Sequence, residues 1–136
     1  MAASTTQATT DAFGLRRIRQ IAITVRDIER ATRFYHDTLG MTLLFTAEPG
    51  LAFFDCDGVR LMLSRPEGIG DEQRASILYY AVDDIEQAHR TFTARGVQFV
   101  DTPHCVARLP DRDVWLAIAR DSEENLFGLM SEVRTS

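Results

Sequence analysis

A duplicated segment is the feature of this sequence that most constrains its fold. Five residues recur at one constant offset of 57 positions: Val25, Asp27, Ile28, Glu29 and Ala31 return as Val82, Asp84, Ile85, Glu86 and Ala88. Chance propensity rarely produces five identities at a single spacing. The chain is therefore predicted to contain two copies of one structural unit.

Each copy is predicted to run from a strand into a helix. Ile21, Ile23 and Val25 alternate with smaller or polar residues, which is the period of a strand with one buried face. Asp27 follows at the helix N-cap position, and Gly40 supplies the left-handed residue that ends the helix. The second copy repeats the plan with Leu78, Tyr80, Val82, Asp84 and Gly96.

Short apolar runs separated by turn residues follow each helix. The pair Asp57 and Gly58, between two alternating runs, predicts a tight β-hairpin. Each half is therefore expected to be a β-α-β-β-β module in an α+β fold. We divide the chain into a flexible tail (1–15), a first module (16–64), a linker (65–75) and a second module (76–133), all within one domain.

Composition narrows the classes of partner. The formal net charge is −5, and no basic stripe interleaves with aromatic residues, so a nucleic-acid partner is not expected. The longest apolar runs have the length of strands, so no membrane association is expected either. The N-terminus does not resemble a secretory signal, and Cys56 and Cys105 form no CxxC pair. These features predict a cytoplasmic protein with reduced thiols.

Three stretches carry a resemblance to a known family. They are V-x-D-I-E-x-A-x-x-F-Y-x-x-x-L-G-M at 25–41, V-D-D-I-E-x-A at 82–88 with A-R-G-V-Q-F after it, and R-D-S-E-E-N-L at 120–126. Together they resemble the vicinal oxygen chelate superfamily, which includes glyoxalase I, extradiol dioxygenases and the bleomycin-resistance proteins. The resemblance implies that the modules curl into a mixed-sheet cup whose floor carries a small-molecule site. It also implies a homodimer.

Strand alternation then selects the side chains that face such a cup. The candidate ligand-binding residues selected in this way are Gln20, Thr24, Arg60, Met62 and Tyr79. His104, in a second-module strand that can line the cup, and Trp115, the only tryptophan, are added to them. Arg60 is predicted either to clamp an acidic ligand or to form an internal salt bridge with Asp55, Asp57 or Asp113. Trp115 is expected either to stack on a planar ligand or to lie in the core or a dimer interface.

The metal site implied by the resemblance lacks its ligands. Matching by register puts Gln20, Met62, Ile77 and Gly128 at the four ligand positions. Only Gln20 offers an oxygen, and a catalytic zinc or iron site needs about three protein ligands. His36 and His89 fall on helices, away from the cup. We therefore expect no metal and no other cofactor.

Three functions remain open at this point. The first is a glyoxalase- or bleomycin-resistance-like protein that binds a small anionic or aromatic molecule in a metal-free cup. The second is a metal-dependent lyase or dioxygenase of the glyoxalase type, which would require a shifted strand register. The third is a cofactor-free isomerase or lyase that uses His104 as its catalytic residue together with Arg60.

Overall fold

The computed structural model describes residues 14–48, 50–65 and 76–135, which form two four-stranded mixed sheets with helices packed on one face of each. Most of the predicted tail (1–15) and linker (65–75) lies outside the described residues. The first half contains β1 (Gln20–Thr24), α1 (Ile28–Arg33), a π-helix (Phe34–Thr38), β2 (Thr42–Ala47), β3 (Leu51–Cys56) and β4 (Val59–Ser64). The second half contains β5 (Leu78–Ala81), α2 (Ile85–Ala94), β6 (Gln98–Arg108), β7 (Arg112–Arg120) and β8 (Leu126–Arg134). In this part of the chain, no helix is long and apolar enough to cross a membrane.

The two halves have the same topology. The strand orders are β1-β4-β3-β2 and β5-β8-β7-β6. In each sheet the first strand pairs in parallel with the last, and the remaining pairs are antiparallel. The predicted α+β fold of two tandem β-α-β-β-β modules, forming an open, curled mixed-sheet cup, is therefore confirmed.

The local signals act as the sequence predicts. The Asp27 carboxylate accepts from the backbone N of Arg30 at 3.0 Å, and the Asp84 carboxylate does the same for Gln87 at 3.0 Å. Asp57 and Gly58 have φ angles of 52° and 96°, the left-handed pair that a two-residue hairpin requires. These contacts fix where each helix begins and where β3 turns into β4.

The end of the first helix differs from a regular α-helix. The backbone N of Leu39 donates to the Phe34 carbonyl at 2.9 Å, a bond that spans five residues. The wider turn allows two adjacent aromatic residues to face inward, so Tyr35 is buried in the first core while Phe34 contacts both cores. Helical periodicity alone did not predict this.

The helix-facing sides of the two sheets hold the hydrophobic core. The most completely buried residues in the first module include Phe54, Leu61 and Leu63, and those in the second include Ala117, Ala119 and Leu129. Phe34 packs edge-on against Phe127 with ring centroids 6.4 Å apart. The two cores therefore meet through the first helix.

A charged contact also joins the modules. The Arg30 guanidinium on α1 donates to both carboxylate oxygens of Glu123, which lies in the turn before β8, at 2.8 and 3.0 Å. The backbone N–H groups of Arg26 and Asp27 donate to the same carboxylate at 3.1 Å each. The hydrogen bond from Arg30 is the main reason that the pKa of Glu123 falls from 4.5 to about 2. Glu123 is therefore ionised in the folded protein over the physiological range.

A buried hydroxyl reinforces this contact. The Tyr35 hydroxyl donates to Asp121 Oδ2 at 2.7 Å, and burial together with that carboxylate raises the pKa of Tyr35. Asp121 Oδ1 accepts from the backbone N–H groups of Glu123 and Asn125 at 2.8 Å each. The Asn125 amide in turn donates to the Thr24 carbonyl at the end of β1. The turn at 121–125 thus fixes the second module against the first.

Candidate functional site

The sheet faces turned away from the helices carry the candidate site residues, and we call these the cup faces. In the first sheet, Gln20, Ala22 and Thr24 of β1 lie beside Arg60, Met62 and Ser64 of β4. In the second sheet, Tyr79 and Ala81 of β5 lie beside Gly128 and Met130 of β8. Strand alternation in the sequence selected these same positions.

Gln20, Arg60 and Met62 form one connected group on the first cup face. The Arg60 Nε donates to Gln20 Oε1 at 2.7 Å, and the Gln20 amide lies 3.8 Å from the Met62 sulfur. The half-buried guanidinium also lies 5.4 Å from the ring centroid of Phe53. These three contacts fix the position of the positive charge.

No carboxylate forms an ion pair with Arg60 among the described residues. Asp55 is its cross-strand neighbour, but its carboxylate accepts from the Gly58 backbone N at 3.2 Å. Asp113 pairs instead with Arg108 at 2.9 Å. The internal salt bridge considered from the sequence is not formed, so the guanidinium is available to an external anion.

An aromatic pair adjoins the guanidinium, and strand alternation around β1 and β4 did not reveal it. Phe45 of β2 lies over Phe53 of β3, with ring centroids 4.6 Å apart and an interplanar angle of 33°. A register shift between Leu43 and Phe45 turns Phe45 onto the cup face, where it is 50% exposed. Alternation within LAFFDC could have selected Phe53, but no sequence signal marks the bulge.

Tyr79 and Gly128 are matched across the second cup face. They are cross-strand partners, and a Cβ atom at position 128 would overlap the Tyr79 ring. The ring therefore occupies the space into which any side chain at 128 would extend. Thr24, by contrast, lies half-buried at the far end of β1 from Gln20.

His104 lies on the cup face of β6, opposite Leu116 of β7. It is exposed, and its Nδ1 is 2.8 Å from the Thr102 carbonyl. If Nδ1 carries the proton, Nε2 is left as an acceptor facing solvent. No hydrogen bond or ion pair in the described structure connects His104 to Arg60, so a joint catalytic role of the two stays a prediction.

The structure favours the core placement of Trp115 over stacking on a ligand, the two alternatives left open by the sequence. Its cross-strand partners are Ser131 and Cys105, and it packs against the core of the second module. It therefore lies on the helix-facing side of β7, one residue out of phase with the cup-facing Leu116. Trp115 stabilises the core and is not a wall of the cup.

Comparison with known families identifies the fold. The model of the Glyoxalase/Bleomycin resistance protein/Dioxygenase superfamily matches residues 17–127. The chain belongs to this superfamily. The match covers the first module and the second as far as the start of β8, in keeping with the resemblance of the quoted motifs.

Individual members of the superfamily show how far the likeness extends. The chain is 27% identical over 127 residues to YraH of Bacillus subtilis (strain 168), an uncharacterized protein, covering 82% of this chain and 94% of YraH. Two solved structures share the fold with a TM-score of 0.69 each. A superfamily member from Sphaerobacter thermophilus DSM 20745 is 24% identical, and the superposition covers 87% of this chain and 98% of the Sphaerobacter chain. TnmS3, an antibiotic binding protein from Streptomyces sp. CB03234, is 22% identical, and the superposition covers 88% of this chain and 98% of TnmS3.

An enzyme of the superfamily is also similar in fold. Lactoylglutathione lyase from Agrobacterium tumefaciens matches with a TM-score of 0.64 and 21% identity, covering 87% of this chain and 95% of that chain. At these identities the likeness to solved structures establishes the fold alone.

The residues at the superfamily's metal positions do not fit a metal ion. The Gln20 oxygen already accepts from a guanidinium, whose charge would repel a cation. Ile77 has no donor atom, and the Tyr79 ring fills the space beside Gly128. Within residues 14–48, 50–65 and 76–135, no group of three or more His, Cys, Asp or Glu side chains is arranged to hold a metal. We therefore derive no chemistry through a metal at this site.

Proposed function

We propose that this protein binds a small planar organic molecule with an acidic group, in the manner of an antibiotic-sequestering protein and without a metal. The observation that carries the proposal is the Arg60 guanidinium, which is oriented by Gln20 and lies beside the Phe53 ring, with no carboxylate partner among the described residues. A fixed cation next to an exposed aromatic surface is complementary to an aromatic acid.

The aromatic pair supplies the apolar part of the proposed site. Phe45 is half-exposed and Met62 lies between the rings and β1, so a flat ligand can stack there while its acidic group meets Arg60. Antibiotic binding by TnmS3, which shares the fold, is in keeping with this use of the scaffold.

Binding of 2-naphthoate tests the proposal directly. We expect saturable binding by calorimetry, unaffected by a chelator, and a weakening of about tenfold or more in Arg60→Gln because a charge-assisted hydrogen bond is lost. Arg19→Gln is the matched control, since Arg19 is an exposed arginine that donates to the Gly58 carbonyl near the same end of the sheet.

A neutral isostere separates charge recognition from stacking. We expect 2-naphthamide to bind the wild type more weakly than 2-naphthoate and to be insensitive to Arg60→Gln. Equal weakening of 2-naphthoate binding in Arg60→Gln and Arg19→Gln would show that net charge alone attracts the acid and would overturn the proposed clamp.

Metal content distinguishes this proposal from a glyoxalase-type enzyme. Elemental mass spectrometry on tag-free protein purified without chelators is expected to find less than about a tenth of an equivalent of any transition metal per chain. A value near one equivalent would instead favour the metal-dependent hypothesis.

We also propose that the protein acts as a cytosolic homodimer. Val100 and Val106 on the edge strand β6 are 53% and 47% exposed, which favours their burial against a second copy. Both cysteines are unpaired, which supports a reducing compartment. Sedimentation equilibrium should give twice the chain mass of 15.3 kDa, and the monomer mass would contradict the dimer.

A further inference from the structure

A cavity separate from the Arg60 group lies between the two modules. Its volume is about 610 Å³, within the range that small-molecule sites occupy. Most of its wall comes from the helix-facing side chains of both sheets, including Ile21, Leu61, Leu78, Phe127 and Leu129. It is thus predominantly apolar, and it reaches both faces of the edge strand β5.

One polar atom beside this wall has no partner among the described residues. The Tyr80 hydroxyl oxygen is buried just behind the cavity surface, so a ligand reaches it when the side chain turns into the cavity. Its neighbour Tyr35, by contrast, satisfies its own buried hydroxyl with Asp121. A buried hydroxyl without a partner is costly, so its retention in an apolar cavity indicates a use for it.

The charges around the cavity differ from those of the cup face. Asp55 and Asp57 contribute to the wall, whereas no basic residue among the described lining residues does. Carboxylates at the wall disfavour anions, so the cavity and the Arg60 group select ligands of different charge.

We infer that this cavity is a second binding site, for a neutral aromatic carbonyl compound whose oxygen accepts a hydrogen bond from Tyr80. The apolar walls contact the aromatic body, and the hydroxyl contributes the single polar contact that orients it. Burial raises the pKa of Tyr80, which keeps the hydroxyl protonated and able to donate. This site is independent of the proposed function of the Arg60 group.

The solvatochromic ketone 6-propionyl-2-dimethylaminonaphthalene serves as the probe. We expect saturable binding to the full chain with a blue shift of its emission, and a loss of affinity of about fivefold in Tyr80→Phe, the usual effect of removing one neutral hydrogen bond. Tyr35→Phe is the matched control: it deletes another buried tyrosine hydroxyl, which donates to Asp121 and belongs to a residue outside the cavity wall. We expect it to leave the affinity within about twofold. Equal weakening in both variants would overturn the inference.

The two cysteines locate the bound probe independently of any variant. Cys56 lines the cavity and Cys105 does not, and both are partly exposed. At a probe concentration of about ten times its Kd, mass action should slow iodoacetamide labelling of Cys56 about tenfold while Cys105 reacts at an unchanged rate. Unchanged labelling of Cys56, or equal protection of both thiols, would overturn the inference.

The two sites can fail separately. If the ketone does not bind but 2-naphthoate binds in an Arg60-dependent way, the inference is wrong and the proposed function stands. If the ketone binds through Tyr80 and 2-naphthoate does not bind, the proposed function fails alone. Ketone binding that Arg60→Gln weakens as much as Tyr80→Phe does would place the probe on the cup face and refute the second site.

Discussion

The Arg30 side chain of the first module and the Glu123 side chain of the second form a two-point ion pair, with N–O distances of 2.8 and 3.0 Å. The Glu123 side chain is only 1% exposed, whereas that of Arg30 is 50% exposed. The carboxylate is therefore the buried partner, and it also accepts from two backbone N–H groups that precede α1. Removing the negative charge of Glu123 should therefore weaken the contact between the two modules.

We expect Glu123→Gln to lower the free energy of unfolding by about 2–3 kcal/mol, because a neutral amide cannot replace an anion that accepts several hydrogen bonds. Urea unfolding measures this change. Glu124→Gln is the matched control: its side chain is 71% exposed and lies 4.0 Å from Arg120, so its effect should stay within about 0.5 kcal/mol. Equal effects of the two substitutions would contradict a structural role for the buried pair.

The same carboxylate predicts an acid-dependent loss of stability. The pKa of Glu123 is about 2 in the folded protein and 4.5 ordinarily. Since the folded value is the lower one, the stabilisation is complete above about pH 4.5 and is lost as the pH falls from there towards 2. Across this window the wild type should lose about 2–3 kcal/mol more unfolding free energy than Glu123→Gln loses. Urea unfolding of both proteins from about pH 6 to about pH 2.5 measures this difference. If the unfolding free energies of the wild type and Glu123→Gln change in parallel with pH, Glu123 is not the group responsible.

Removing the hydroxyl from either of two buried tyrosines should change the free energy of unfolding in different directions. Tyr35→Phe removes the hydroxyl that donates to Asp121 at 2.7 Å and should cost about 1–2 kcal/mol. Tyr80→Phe removes a hydroxyl that has no partner among the described residues and should leave the unliganded protein equally stable or up to about 1 kcal/mol more stable. Thermal and urea unfolding of both variants check this, and a destabilised Tyr80→Phe would show that the hydroxyl has a partner in solution.

Gly128 and Tyr79 should be energetically coupled. Gly128→Ala places a methyl group against the Tyr79 ring, which must move aside at a cost of about 1–2 kcal/mol. In a Tyr79→Ala background the same substitution should cost at least about 1 kcal/mol less. A double-mutant cycle measured by urea unfolding gives the coupling, and additive effects would mean that the ring does not occupy this space.

The sequence was sufficient to predict the repeated part of the fold. The caps at Asp27 and Asp84 and the hairpin at Asp57 depend on local backbone chemistry, which short stretches of sequence encode. Strand alternation likewise places Gln20 and Arg60 on one face, because a strand has a strict period of two.

The remaining features depend on register and on distant contacts. Phe45 reaches the cup face through a bulge, and Trp115 lies on the helix-facing side of β7, a strand whose register the sequence did not assign. The contact between Arg30 and Glu123 spans 93 residues, so no local pattern could have indicated it. Arg30 and Glu123 become partners because of the way the two modules pack together.

The Glu123 contact also makes the two halves unequal during synthesis. The backbone N–H groups that lead into α1 find their acceptor only in the turn before the final strand. A nascent chain therefore carries its first helix without this acceptor until the turn at 121–125 has left the ribosome. Although the two modules are copies in topology, the earlier-made one reaches its final form only after the later-made one has emerged.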